Sequence, residues 1–256
     1  MPDTRIVALC GKGGVGKTSV SALMVKELAR RECGKILAID ADPAVGLATS
    51  LGITVRKTVD DIRKGLVGTL REGGAPGGRE TLELLDYEVF DALEERDGFA
   101  LLAIGRPEDE GCFCRVNSLL KDIIADLSHR FDLVLIDGEA GIEQINRRVM
   151  KTVDHLVLVS DTSAKGIGVA NTIALVAGDR KAVDYRNVGL VLNRVRSEAE
   201  ARDIGERTGL EVYGWLADDE AIRDFDFRGA PLTGLPETSP SPSTVGAILK
   251  KMGLVA

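Results

Sequence analysis

The octet Gly11-Lys12-Gly13-Gly14-Val15-Gly16-Lys17-Thr18 follows an apolar run at 6–10 and opens a helical pattern at 18–31. Its spacing is G-x-x-x-x-G-K-[ST] in a strand–loop–helix setting. A tight loop from a buried strand into a helix begins a βαβ unit, and such units build parallel sheets. The rest of the chain keeps the same rhythm. Further strand-sized apolar runs occupy 36–39, 100–104, 133–136, 156–159, 188–192 and 211–216. Several lack a polar face, as strands covered on both sides do. Helical patterns lie between them at 116–130, 142–152, 168–177 and 198–208. The predicted fold is α/β, with a mostly parallel central sheet flanked by helices. Ligands in such sheets bind at the carboxyl ends of the strands.

The chain has 256 residues, a length that one α/β unit can fill, so 1–256 is read as a single domain. No internal repeat or domain break interrupts it. The glycine-rich stretch 73–78 reads as a loop, and 231–242, with four prolines, as a surface connection to a last helix at 244–252. The 33 basic and 40 acidic side chains leave a net charge of −7, which argues against nucleic-acid binding by bulk charge. The start is polar and no apolar stretch approaches a bilayer span, so neither a secretion signal nor a membrane helix is expected. Four cysteines make no disulfide scaffold; a reducing cytoplasm is the expected setting, with thiols available for metal.

Each part of the octet has a chemical task. Gly11, Gly13, Gly14 and Gly16 let backbone N–H groups around Val15 turn inward on a phosphate, and the helix start adds its positive pole. Lys17 is expected on the β- and γ-phosphates, the Thr18 hydroxyl on Mg²⁺, and Ser19 beside them. The bland alternative is a coincidental glycine turn. Two acidic segments follow strand-like runs, Asp40-Ala41-Asp42-Pro43 and Asp137-Gly138-Glu139. A carboxylate ending a strand holds Mg²⁺ through water, and Asp137 fits that task. For Asp42 and Asp137 the competing reading is a helix N-cap. Asp40 stays open, since ordering its neighbouring loop would account for it.

The second lysine, Lys12, gives K-G-G-x-G-K-[ST]. This resembles the deviant Walker A class that includes MinD, ParA and the nitrogenase iron protein. The resemblance implies a homodimer that sandwiches ATP or ADP, with Lys12 reaching the partner's phosphates as an arginine finger would. It also implies that Asp42 positions the attacking water in switch I. The strand ending in Asn193-Arg194 resembles the one whose asparagine amide reads adenine in that class. Leu216 and Asp218 stand where relatives place base contacts, although Ala217 replaces the usual proline. No N-K-x-D guanine signature is present.

Cys112 and Cys114 lie one residue apart before the helix at 116–130. Soft four-coordinate metals want about four ligands, so a twofold axis beside this loop would complete Cys₄ from two subunits. The nucleotide sandwich implied by Lys12 needs the same kind of axis. The alternative is a redox-sensitive or structural thiol pair. Cys10 reads as core packing and Cys33 as an ordinary thiol; His129 and His155 have no ligand spacing.

Together, G-K-G-G-V-G-K-T, D-A-D-P, G-C-F-C-x-x-N and D-G-E-A-G-I-E resemble the CooC type of accessory ATPase along nearly the whole chain. That resemblance implies ATP hydrolysis, Ni²⁺ or Zn²⁺ on the paired thiols at the dimer interface, and a nickel-enzyme client, carbon monoxide dehydrogenase or acetyl-CoA synthase. Asn117 and Glu139 match its pattern without an evident chemical role. Two other readings compete. A positioning or partitioning ATPase would use DNA or a membrane; the charge opposes the first, and 247–254 reads better as a docked helix than as a membrane anchor. A reductase like the iron protein would bridge an iron–sulfur cluster, for which adjacent C-x-C thiols are less suited than widely spaced ones.

Overall fold

The computed structural model describes residues 4–71, 79–106, 114–138, 149, 152–178 and 184–255. Among them are the strands β1 (Arg5–Cys10), β2 (Ile36–Asp40), β3 (Glu94–Arg96), β4 (Phe99–Ala103), β5 (Leu133–Asp137), β6 (Thr152–Ser160), β7 (Asp184–Val195) and β8 (Val212–Ala217). The helices are α1 (Lys17–Arg30), α2 (Gly46–Leu51), α3 (Val59–Arg71), α4 (Arg79–Asp91), α5 (Cys114–Ser128), α6 (Ala164–Gly178), α7 (Glu198–Thr208), α8 (Glu220–Arg228) and α9 (Pro240–Lys251). The strands form one sheet in the order β3-β4-β2-β5-β1-β6-β7-β8. Every pairing is parallel except β3 with β4.

Alternate residues of the central strands feed two cores. Ala8 and Cys10 of β1 join Val134 and Ile136 of β5 on one face, beneath Ile62 of α3, Val89 of α4, Ile124 of α5 and Ile204 of α7. Val7 and Leu9 join Leu133 and Leu135 on the other, beneath Leu23 and Leu28 of α1, Leu47 of α2 and Ile248 and Leu249 of α9. Both faces are therefore dry, which explains why these strands read as unbroken apolar runs. Cys10 is fully buried in the first core, as its position predicts.

Some expectations change. β6 and β7 begin well before their apolar runs, at Thr152 and Asp184. Thr152, expected to end a helix, opens a strand; the rest of that expected helix, at 142–151, includes only one described residue, 149, which is not helical. The segment 231–242 is not merely a surface connection. Leu232 and Leu235 are buried in the second core, and Pro240 starts α9 with Ser241 and Pro242 buried. Proline at the first helical positions costs nothing, because its missing N–H would have no partner there. The glycine stretch 73–78 lies outside the described residues. No helix among those described is long and apolar enough to cross a membrane.

Candidate functional site

The chain leaves β1 through Gly11, where a side chain would not fit: a Cβ there would stand 2.1 Å from the Val159 carbonyl oxygen of β6. The loop then climbs through two left-handed glycines, Gly14 at φ +80 and Gly16 at φ +94. Gly16 caps α1 without any side-chain hydrogen bond, and no acidic residue occupies the first turn. The first N–H groups of α1 thus remain directed at the loop, with the positive helix end behind them. Lys17 is only 7% exposed and donates from Nζ to the Lys12 carbonyl at 3.2 Å. Lys12 itself is half-buried at the loop mouth, beside the exposed Gly13 and Gly14.

Asp137 ends β5 directly under this loop. Ser21, one turn beyond Lys17 on α1, donates its hydroxyl to Asp137 Oδ1 at 2.8 Å. Asp137 Oδ2 is buried with no hydrogen-bond partner. Burial pushes the carboxyl up to about 6, although the Ser21 and Thr18 hydroxyls and the Lys17 charge pull the other way. An unpaired buried carboxylate oxygen is costly, so it fits a cation or water held between it and Thr18. Thr18 also meets the start of α2: a Cβ on Gly46 would lie 3.6 Å from its methyl group.

Asp40 stands beside Asp137 in register on β2. It accepts from the Asp42 N–H at 3.2 Å and the Ala48 N–H at 3.1 Å, which ties down both ends of the segment bearing Asp42. Burial nevertheless pushes its carboxyl up to about 7. Asp42 is partly exposed, and its Oδ1 accepts from the Ala44 N–H at 2.8 Å. Val45, between Asp42 and α2, takes φ +53, an outlier for a β-branched residue.

A cleft beside the loop gathers Ser19, Asn193, Arg194, Leu216 and Asp218. Leu216 is 1% exposed and forms part of the floor, so its side chain is core. Asp218 pairs with Arg223 of α8 at 3.5 Å. The Asn193 amide also touches the loop, with Nδ2 donating to the Val15 carbonyl at 2.9 Å and Oδ1 accepting from the Arg194 N–H at 3.0 Å, which leaves a second N–H on Nδ2. Two participants had no signal of their own in the motif reading. Ser21 follows Thr18 by three residues, the spacing that puts both on one helix face. Asp219, rather than its neighbour Asp218, is the buried acid: Oδ1 accepts from the Ala221 N–H, and Oδ2 from the Ser239 and Ser241 hydroxyls.

The thiol pair is not part of this picture. Cys112 and Glu139 lie outside the described residues, and so does the side chain of Cys114, which opens α5. Asn117 is exposed on α5. Among the described residues no cluster of three or more His, Cys, Asp or Glu could hold a metal ion.

The pattern of the CobQ/CobB/MinD/ParA nucleotide binding domain matches residues 6–232. The chain belongs to this family. Within the CobQ/CobB/MinD/ParA family it is a P-loop ATPase homologue with an α/β fold. It is 36% identical over 249 residues to an uncharacterized ATP-binding protein of Methanocaldococcus jannaschii, covering 96% of this chain and 98% of that one. It is 30% identical over 234 residues, 87% of each chain, to the carbon monoxide dehydrogenase accessory protein CooC of Rhodospirillum rubrum. In structure it is similar to the septum site-determining protein MinD of Pyrococcus horikoshii complexed with Mg-ADP, with TM-score 0.70, 20% identity and coverage of 97% of this chain and 96% of that one.

Proposed function

We propose that the chain hydrolyses ATP to ADP and phosphate as a dimeric switch, and that Cys112 and Cys114 of two copies hold a nickel or zinc ion for insertion into a nickel enzyme such as carbon monoxide dehydrogenase or acetyl-CoA synthase. The observation that carries the ATPase reading is the unpaired, buried Asp137 Oδ2 beneath Lys17 and Thr18. Thr18 and Asp137 would hold Mg²⁺, Thr18 directly and Asp137 through water, and the ion would supply positive charge against the phosphates. Lys17 and the N–H groups of Gly11–Gly16 bind phosphate oxygens, Asp42 orients the attacking water, and the cleft at Ser19, Asn193, Arg194 and Asp218 takes the base. Lys12 of one copy serves the other's phosphates.

The nickel-handling part is supported by the C-x-C motif and by the 87% coverage shared with the CooC relative. Four thiolates brought together by dimer closure make metal affinity depend on the nucleotide, and nucleotide affinity on the metal. A membrane-positioning role is disfavoured, because α9 buries Val245, Ile248 and Leu249 against α1 and β8 rather than offering them to lipid.

Lys17→Ala is expected to abolish ATP hydrolysis; normal turnover would refute the phosphate site. Replacing Cys112 and Cys114 with Ser is expected to remove about one metal ion per two chains. Unchanged nickel or zinc binding in calorimetry would refute the thiol site. A strong brown iron–sulfur absorbance in fresh protein would instead favour a reductase.

A further inference from the structure

A second concavity lies at the end of the sheet opposite the phosphate loop. It opens at the amino ends of β2 and β4, beside Ile36 and Phe99, and encloses about 460 Å³ between α4, β3 and the turn after α5. Phe90 of α4, Phe99 and Phe131 line it, three of the six phenylalanines in the chain. Among the described residues their rings make no contact with one another, and Phe90 is 52% exposed. Two glycine turns form part of the rim. A Cβ on Gly34 would stand 2.5 Å from Asp132 Oδ2, and one on Gly98 2.9 Å from the Ala29 Cβ. Both turns are therefore packed against the body of the domain, and the rim is a fixed wall.

Apolar walls with a few polar groups at the mouth, in a volume of this size, suit a small molecule. Rings held apart leave room for a flat ring to pack edge-on or offset against them, the geometries aromatic pairs prefer. Covering the exposed ring of Phe90 also takes apolar surface out of water. The charge at the mouth selects the sign of the ligand. Exposed Lys35, Arg96 and Arg130 line the cavity with one acid, Glu95, although the chain as a whole carries −7. None of the three cations makes an ion pair among the described residues; Arg96 gives one N–H to the Glu95 carbonyl. Asp132, beside the rim, spends its Oδ2 on the Lys35 N–H. Guanidinium groups match the oxygens of a carboxylate, phosphate or sulfonate. We propose that this cavity binds a small aromatic anion, with its ring among the three phenylalanines and its charged group at Arg96, Arg130 and Lys35. The site is separate from the nucleotide site and stands whether or not the chain hydrolyses ATP.

Two fluorescent probes of similar shape test ring and charge separately: 8-anilinonaphthalene-1-sulfonate, an aromatic anion, and the neutral N-phenyl-1-naphthylamine. The full-length wild type should bind the sulfonate at one saturable site that excess ATP does not empty. In the double variant Arg96→Glu, Arg130→Glu the sulfonate should bind at least about fivefold more weakly, while the neutral probe binds as before. Both replaced side chains are exposed, so the melting temperature should hold. Absence of saturable binding, displacement by ATP, or equal sulfonate affinity in wild type and variant overturns the proposal. A second measurement needs no substitution. With ¹³C-labelled phenylalanine, the sulfonate should shift the ring resonances of Phe90, Phe99 and Phe131 and leave Phe225 and Phe227 of α8 unmoved. Shifts confined to Phe225 and Phe227 would put the probe beside the nucleotide cleft and overturn it as well.

Discussion

Asp40 and Asp137 are adjacent rungs of the same sheet, yet their surroundings give them opposite tasks. Asp40 spends its oxygens on backbone N–H groups and so anchors the segment 41–48. Asp137 keeps one oxygen unpaired. Both are buried, and burial raises both pKa values from 3.8, to about 7 and about 6. For Asp40 the sign is fixed by linkage. Below about 3.8 the carboxyl is protonated in both folded and unfolded chains, and its contribution to stability is fully present. As the pH rises through about 7 the folded carboxyl must ionise, and that contribution is lost. The melting temperature of the nucleotide-free protein should therefore fall between pH 5 and pH 8 more steeply in the wild type than in Asp40→Asn. Parallel curves would mean that Asp40 is already ionised in the fold. Asp137 gives the opposite trend in binding. A divalent cation needs the carboxylate, so Mg-ATP affinity should rise from pH 5 to pH 7, and this dependence should vanish in Asp137→Asn. A flat calorimetric profile in the wild type would separate Asp137 from the metal.

At the scale of elements, Asp219 does the most with one side chain. It caps α8 through the Ala221 N–H and takes hydroxyl bonds from Ser239 and Ser241 at the start of α9. Burial pushes its carboxyl up, but those hydroxyls and N–H groups outweigh it and hold the net pKa below the usual range. Asp219→Ala removes a cap and strands two buried hydroxyls, at a cost of about 2–4 kcal/mol. The melting temperature should drop by roughly 5–15 °C. A drop under 2 °C in a calorimetric scan would show that α8 and α9 are held by packing alone. This joint also marks what the chain's pattern conceals. Strands dry on both faces announce themselves, as 36–39 and 133–136 do, because burial demands unbroken apolar runs. β3 does not: Glu94-Glu95-Arg96 is an antiparallel edge strand, with Glu95 and Arg96 exposed on the rim and Glu94 buried on Arg56. Thr152–His155 and Asp184–Asn187 extend β6 and β7 with polar side chains for which only the pairing partner accounts. The phosphate loop is legible from glycine spacing alone. The contact of Asn193 with that loop is not, since the bulge that carries it depends on the register of a neighbouring strand.

For the molecule as a whole, the carboxyl ends of β1, β2, β5, β7 and β8 bring Lys12, Lys17, Asp42, Asp137, Arg194 and Asp218 to one edge of the sheet. Within that set Lys12 stands apart. Lys17 is buried beside Asp137, whereas Lys12 is half-buried at the loop mouth and makes no ion pair among the described residues. On the proposed reading, Lys17 already serves the phosphates of its own chain, and a cation at the position of Lys12 serves those of a second copy. On the proposed switch, Lys12→Gln should bind ATP nearly as well as the wild type. It should lose ATP-dependent dimerisation, and turnover should fall by about 10³-fold or more, the range measured for cations supplied in trans. Metal bound by Cys112 and Cys114 should fall with the dimer, although neither thiol is touched. Sedimentation, phosphate release and metal content on one preparation test the three together. A Lys12→Gln protein that still dimerises with ATP, hydrolyses it at the wild-type rate and carries its metal would break the link between nucleotide and thiolate cage. The ATP site would then act without a lysine supplied in trans by Lys12.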